Sequence, residues 1–111
     1  MNQNPTVVFV CEHGAAKSIL AAAYFNKLAN ETGLDLRAIA RGTNPDQELS
    51  PQIVAGLSKD GLQPTESTPQ KLNDADLQIA QRVITFCELP VKYQQQSTVE
   101  RWDGTQPVSE D

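Results

Sequence analysis

The chain has 111 residues, a length that suits one domain built around a single core. Its 39% apolar and 21% charged residues are ordinary for a soluble globular protein, and a net charge of -5 without any basic run argues against nucleic acid or an acidic membrane surface as partner. No apolar run is long enough to span a bilayer and the N-terminus lacks the pattern of a signal peptide, so the expected compartment is the cytoplasm.

In chain order, Thr6 to Val10 is a continuous β-branched and apolar run, as expected of a strand buried on both faces. From Lys17 to Thr32 the spacing becomes helical, with Ala21, Tyr24, Phe25 and Leu28 as the apolar stripe and Gly33 as the stop. Leu34 to Arg41 alternates, with Leu34, Leu36, Ala38 and Ala40 on one face and Asp35, Arg37 and Arg41 on the other, which predicts a half-exposed edge strand. Arg41 to Pro45 reads as a loop. Ser50 then caps a helix with Pro51 in its first position, Ile53, Val54 and Leu57 as its stripe and Gly61 as its end.

The Pro-, Thr- and Ser-rich stretch from Gln63 to Gln70 predicts a surface connection, and Asn73 or Asp74 caps a short helix running to Ala80. Arg82 to Phe86 is a second buried strand closed by Cys87. Residues 90 to 98 read as solvated, and Thr98 to Trp102 as a last short strand. This order implies an open, mostly parallel α/β sheet with right-handed crossovers. Ligands of such sheets sit at the carboxyl ends of the strands, where Cys11, Thr43, Cys87 and Asp103 are all expected.

The chemistry concentrates in Cys11-Glu12-His13-Gly14-Ala15-Ala16-Lys17-Ser18, which joins the first strand to the first helix. A loop of this length can turn its backbone N–H groups onto one point beside the positive end of the helix. Gly14 supplies a residue free to take φ > 0, while Ala15 and Ala16 keep the loop narrow. Such a cradle suits a tetrahedral oxyanion, and the same dipoles would stabilise a thiolate at Cys11, with Ser18 donating a further hydrogen bond. Cys11 would then be a covalent nucleophile. The alternative at the level of the bare pattern is a small apolar residue ending a buried strand.

The residues from Val8 to Ser18 resemble the phosphate-binding loop, C-x5-R-S, of the low-molecular-weight protein tyrosine phosphatase superfamily and of the arsenate reductases related to it. "ARGTNPDQELSPQIVAGLSKDGL" is similar to the family's SAGT-x-P strand end and Pro-capped helix, "RVITFCELP" to its V-V-T-x-C strand, and "RWDGTQPV" to its general-acid loop, all in the family's order. The resemblance implies a three-layer, phosphatase-I-like fold: a four-stranded sheet with helices on both faces. The family's C-terminal helix has no counterpart before Asp111: either that helix is absent or the face is covered otherwise, a homodimer being one such cover.

For the site, the resemblance implies Cys11 as nucleophile, Ser18 as its hydrogen-bond partner, and Glu12 to Lys17 as the oxyanion-binding loop. Three departures matter. Lys17 replaces an arginine that would fork onto the oxyanion, and so offers one compact charge without bidentate geometry. Gly14 replaces an asparagine, a milder change because both tolerate a left-handed backbone. Gln106-Pro107 stands where the family has Asp-Pro, and glutamine donates no catalytic proton; Asp103 is the acid nearby, or a turn residue before Gly104. Cys87 is either a redox partner of Cys11 across neighbouring strands or a buried packing residue, and Glu12 is expected to point outward.

These features imply a phosphomonoester hydrolase, a thiol-coupled arsenate reductase, or a phosphate- or phosphoprotein-binding relative of either. The expected ligand is a phosphate or arsenate oxyanion or a phosphorylated substrate. No metal or cofactor is expected beyond an external thiol for arsenate reduction.

Overall fold

The computed structural model describes residues 6–87, 89–94 and 98–102. Four strands, β1 (Thr6–Cys11), β2 (Arg37–Gly42), β3 (Ala80–Thr85) and β4 (Val99–Arg101), form one sheet in the order β2-β1-β3-β4 with every pair parallel. The helices are α1 (Lys17–Thr32), α2 (Pro51–Lys59), α3 (Asp74–Ile79) and α4 (Val91–Gln94). Strand β1 is central, and Val7 to Cys11 are all buried, which explains why that stretch reads as continuously apolar.

Alternate residues of β1 serve opposite cores. Val7 and Phe9 join Ile19, Ala22, Ala23 and Leu57 under α1 and α2, while Val8 and Val10 join Leu72, Val83, Leu89 and Tyr93 on the other face, with Leu77 of α3 packed against them. The layers are therefore helix, sheet, helix, as expected. Several local expectations differ. The face of α1 turned to the sheet runs through Ile19, Ala22, Ala23 and Ala29, not through Leu28, which is exposed. Small residues let the helix lie close to the strands. Residues 90 to 98 are not simply solvated, because α4 buries Tyr93, whose hydroxyl donates to Asp74 at 2.7 Å. That bond, helped by Lys92, holds the Asp74 carboxyl below its usual range. Leu34 is also exposed and precedes the strand, which begins at Arg37.

The caps fall where the sequence places them. Gly33 ends α1 at φ 75°, and Leu34 N–H returns to the carbonyl of Ala29 at 2.8 Å. Ser50 caps α2 ahead of Pro51, and Asn73 forms a reciprocal capping box with Asp76.

The outer edge of β2 is closed by groups that sequence periodicity does not reveal. The Asn26 amide bonds both the N–H and the carbonyl of Ala38, at 2.8 and 3.1 Å. The Glu66 carboxylate accepts from Ala40 N–H, and Gly42 exchanges bonds with Gln70 and Leu72 at 2.8 and 2.9 Å. Every second residue of the edge is thereby partnered. Arg41, expected on a solvent face, instead lies between Glu66 and Asp76, each at 3.0 Å, with all three side chains less than a fifth exposed.

Candidate active site

The loop from Glu12 to Ala16 leaves the end of β1 and enters α1 at Lys17. The segment after β2 shapes it. The carbonyls of Cys11, Glu12, His13 and Ala15 accept hydrogen bonds from the N–H groups of Thr43, Asn44, Asp46 and Ser50, at 3.2, 2.7, 3.0 and 3.0 Å. In a planar trans peptide the carbonyl and the following N–H point in opposite directions. Drawing these four carbonyls outward turns the N–H groups of Glu12, His13, Gly14 and Ala16 inward. Among the described residues the N–H groups from Glu12 to Lys17 have no protein partner.

Two glycines allow this packing. Gly14 takes φ 62°, and its backbone lies against Gly42 at the end of β2. A Cβ on Gly42 would come within 2.7 Å of the Gly14 nitrogen, and one on Gly14 within 3.0 Å of the Gly42 nitrogen. The interlock holds the loop against the sheet. Ala16 stands at the N-cap of α1 and its side chain caps nothing, so the first N–H groups of the helix remain available to an anion.

Cys11 is buried beneath this ring, with its thiol donating to the Ser18 hydroxyl at 3.1 Å and accepting from Ser18 N–H at 3.4 Å. Ser18 is itself fully buried. A cavity of about 670 Å³ opens above the sulfur. Lys17, Leu49, Pro51, Phe86 and Cys87 are among its walls. Cys11, Glu12, His13, Ala15, Ala16 and Lys17 thus line one cavity, with Ser18 bonded to the Cys11 sulfur behind it and Gly14 packed on Gly42.

Other predicted residues take definite places. Cys87 is half-buried, packs against the core of Val8, Val10 and Leu72, and also faces the same cavity, within reach of the Thr43 and Thr85 hydroxyls at 3.9 and 3.6 Å. Both cysteines are free thiols. Glu12 is exposed, as expected. His13 stands at the rim, its Nδ1 3.2 Å from Asp46 Oδ1. Trp102 packs edge-on against Phe86, 6.2 Å between ring centres, so it supports a wall residue instead of forming the wall. Asp103, Gln106 and Pro107 lie outside the described residues.

Sequence reading missed the residues that follow β2. Asp46, Glu48, Leu49 and Ser50 complete the cavity; the sequence marks Ser50 only as a helix cap, because the role of these residues at the site comes from lying against a loop more than thirty residues earlier in the chain.

Comparison with known proteins agrees with this geometry. A low-molecular-weight protein tyrosine phosphatase from T. tengcongensis superposes with a TM-score of 0.68 at 26% identity, over 74% of this chain and 58% of its own. An arsenate reductase from Archaeoglobus fulgidus gives 0.69 at 26% identity, over 86% and 75%. A YwlE mutant from Bacillus subtilis gives 0.78 at 17% identity, over 87% and 70%, and so shares the fold. This chain therefore spans between somewhat over half and three quarters of the length of these structures. The model of the low molecular weight phosphotyrosine protein phosphatase family matches residues 6–103, nearly the whole chain. The chain belongs to that family, within a superfamily of cysteine-based phosphatases and arsenate reductases.

Proposed function

We propose that the protein hydrolyses phosphomonoesters through a covalent phosphocysteine at Cys11. The observation that carries this is the buried Cys11 sulfur under a ring of backbone N–H groups whose carbonyls are held outward. Three oxygens of a bound phosphoryl group would take those N–H groups and Lys17, and the donors need no rearrangement as negative charge builds on them. The Cys11 thiolate, accepting from Ser18 N–H and from a reoriented Ser18 hydroxyl, attacks phosphorus. The S–P bond forms and the ester P–O bond breaks. The departing oxygen takes a proton, for which Asp103 is the acid the sequence supplies. Water then attacks phosphorus, the S–P bond breaks, and inorganic phosphate leaves.

A second reading is favoured by Cys87 facing the same cavity. In arsenate reduction the Cys11 thiolate would bond to arsenic as one arsenate oxygen, once protonated, leaves as water, and Cys87 would attack the Cys11 sulfur and break the S–As bond. Arsenite then departs with two electrons, a Cys11–Cys87 disulfide remains, and an external thiol reduces it.

Hydrolysis of a small aryl phosphate between about pH 5 and 8, wild type beside Cys11→Ser, decides between them. Turnover that disappears in the variant is expected. Its absence, together with thiol-dependent consumption of arsenate, would establish the second reading. Absence of both, with phosphate still bound, would leave a binding protein.

A further inference from the structure

The cradle is built for an anion, yet its mouth carries mostly negative charge. Glu12, Asp46 and Glu48 line the cavity with Lys17 and His13. Asp46 is engaged by His13 through both its side chain and its backbone N–H. Glu12 and Glu48 are exposed, and among the described residues neither side chain has a partner. Two uncompensated carboxylates therefore stand beside one ammonium group, on a chain whose net charge is already -5.

A phosphoryl group seated in the cradle is held at contact distance by N–H dipoles. The rim carboxylates act further out, on whatever carries that group, within a screening length of ~8 Å at physiological salt. Acidic or doubly charged small phosphates meet repulsion there. Lysine or arginine beside the phosphorylated residue turns the same field into attraction. Among the described residues Phe86 is the one phenyl, phenol or indole ring in the lining, with Leu49 and Pro51 as apolar neighbours, and the His13 ring beside it is held by Asp46. Charge is the stronger discriminator at this mouth.

We propose that Glu12 and Glu48 select phosphorylated residues lying in basic peptide segments. This rests on the oxyanion-cradle reading above and names the substrate class for it. The test uses three phosphotyrosine peptides of equal length, flanked by Lys, Ala or Glu. Their affinities are measured on Cys11→Ser protein and their turnover on wild type. At about 20 mM salt the Lys-flanked peptide is expected to bind at least ~10-fold more tightly than the Glu-flanked one, and the ratio should shrink toward one near 0.5 M. In Glu12→Gln/Glu48→Gln protein the ratio should shrink at low salt as well; both sites are exposed, so the fold should tolerate the change. Equal affinities at low salt, or a ratio unmoved by the double substitution, would overturn the proposal. Failure of wild type to turn over any peptide would instead count against the phosphatase reading, because the affinity ratio is measured without catalysis.

Discussion

At Gly42 two backbones approach so closely that residue identity is decided by space alone. A Cβ there meets Gly14 and His13 backbone atoms at 2.7 to 2.9 Å, so Gly42→Ala must push the loop away from the strand. A displacement of about 1 Å at a reacting centre can cost ~100-fold. The expected result is a loss of that size in kcat/KM with a smaller fall in Tm, read by steady-state kinetics beside thermal melting. Lys17 makes the opposite case. Lys17→Arg restores a planar fork beside the cradle and should raise kcat by about 10- to 100-fold, within the ~3–4 kcal/mol that one well-placed oxyanion donor supplies. Unchanged or lower kcat would show that the site has adapted to the ammonium group. Gly14 was legible in the sequence because a tight loop calls for a positive φ, whereas Gly42 was not. Its constraint comes from a neighbour distant in the chain.

Among the elements, β2 shows how an edge strand is finished. Its outward groups are met by Asn26 of α1, Glu66 of the connecting segment and the backbone around Lys71. Arg41 binds the Glu66 and Asp76 carboxylates and thereby ties that segment and α3 to the strand. Arg41→Ala would leave two mostly buried carboxylates facing each other without a cation, at a cost of about 3 kcal/mol. A urea midpoint lowered accordingly, with the slope unchanged, is the expected measurement; a shift below ~1 kcal/mol would show that water replaces the guanidinium. Alternation indicated an edge strand but began it at Leu34, three residues before its start at Arg37, while the helix caps were readable from Ser50-Pro51, Asn73 and Gly33. The polarity of Arg41 and Glu66 suggested solvent, because their pairing exists only after the connection has folded over the strand. Leu28 misled in the opposite sense, since α1 approaches the sheet through alanines.

For the whole molecule, a ligand that binds only the folded cradle must stabilise the fold. Inorganic phosphate at about 100 times its dissociation constant should contribute ~2.7 kcal/mol and raise Tm by about 10 °C. Lys17→Ala should need several times more phosphate for the same rise, and a melt insensitive to phosphate at any concentration would rule out an anion site. The sheet order has a separate consequence, for the chain as it is made. Strand β1 precedes both of its neighbours in the chain yet lies between them in the sheet, so Val7 must wait for Ala38 on one side and for Arg82 on the other. A nascent chain therefore carries this apolar strand with one edge open from the synthesis of β2 until β3 arrives, and such an edge is prone to association until it pairs. The nucleophile at the end of that strand acquires its full surroundings only when β3 arrives.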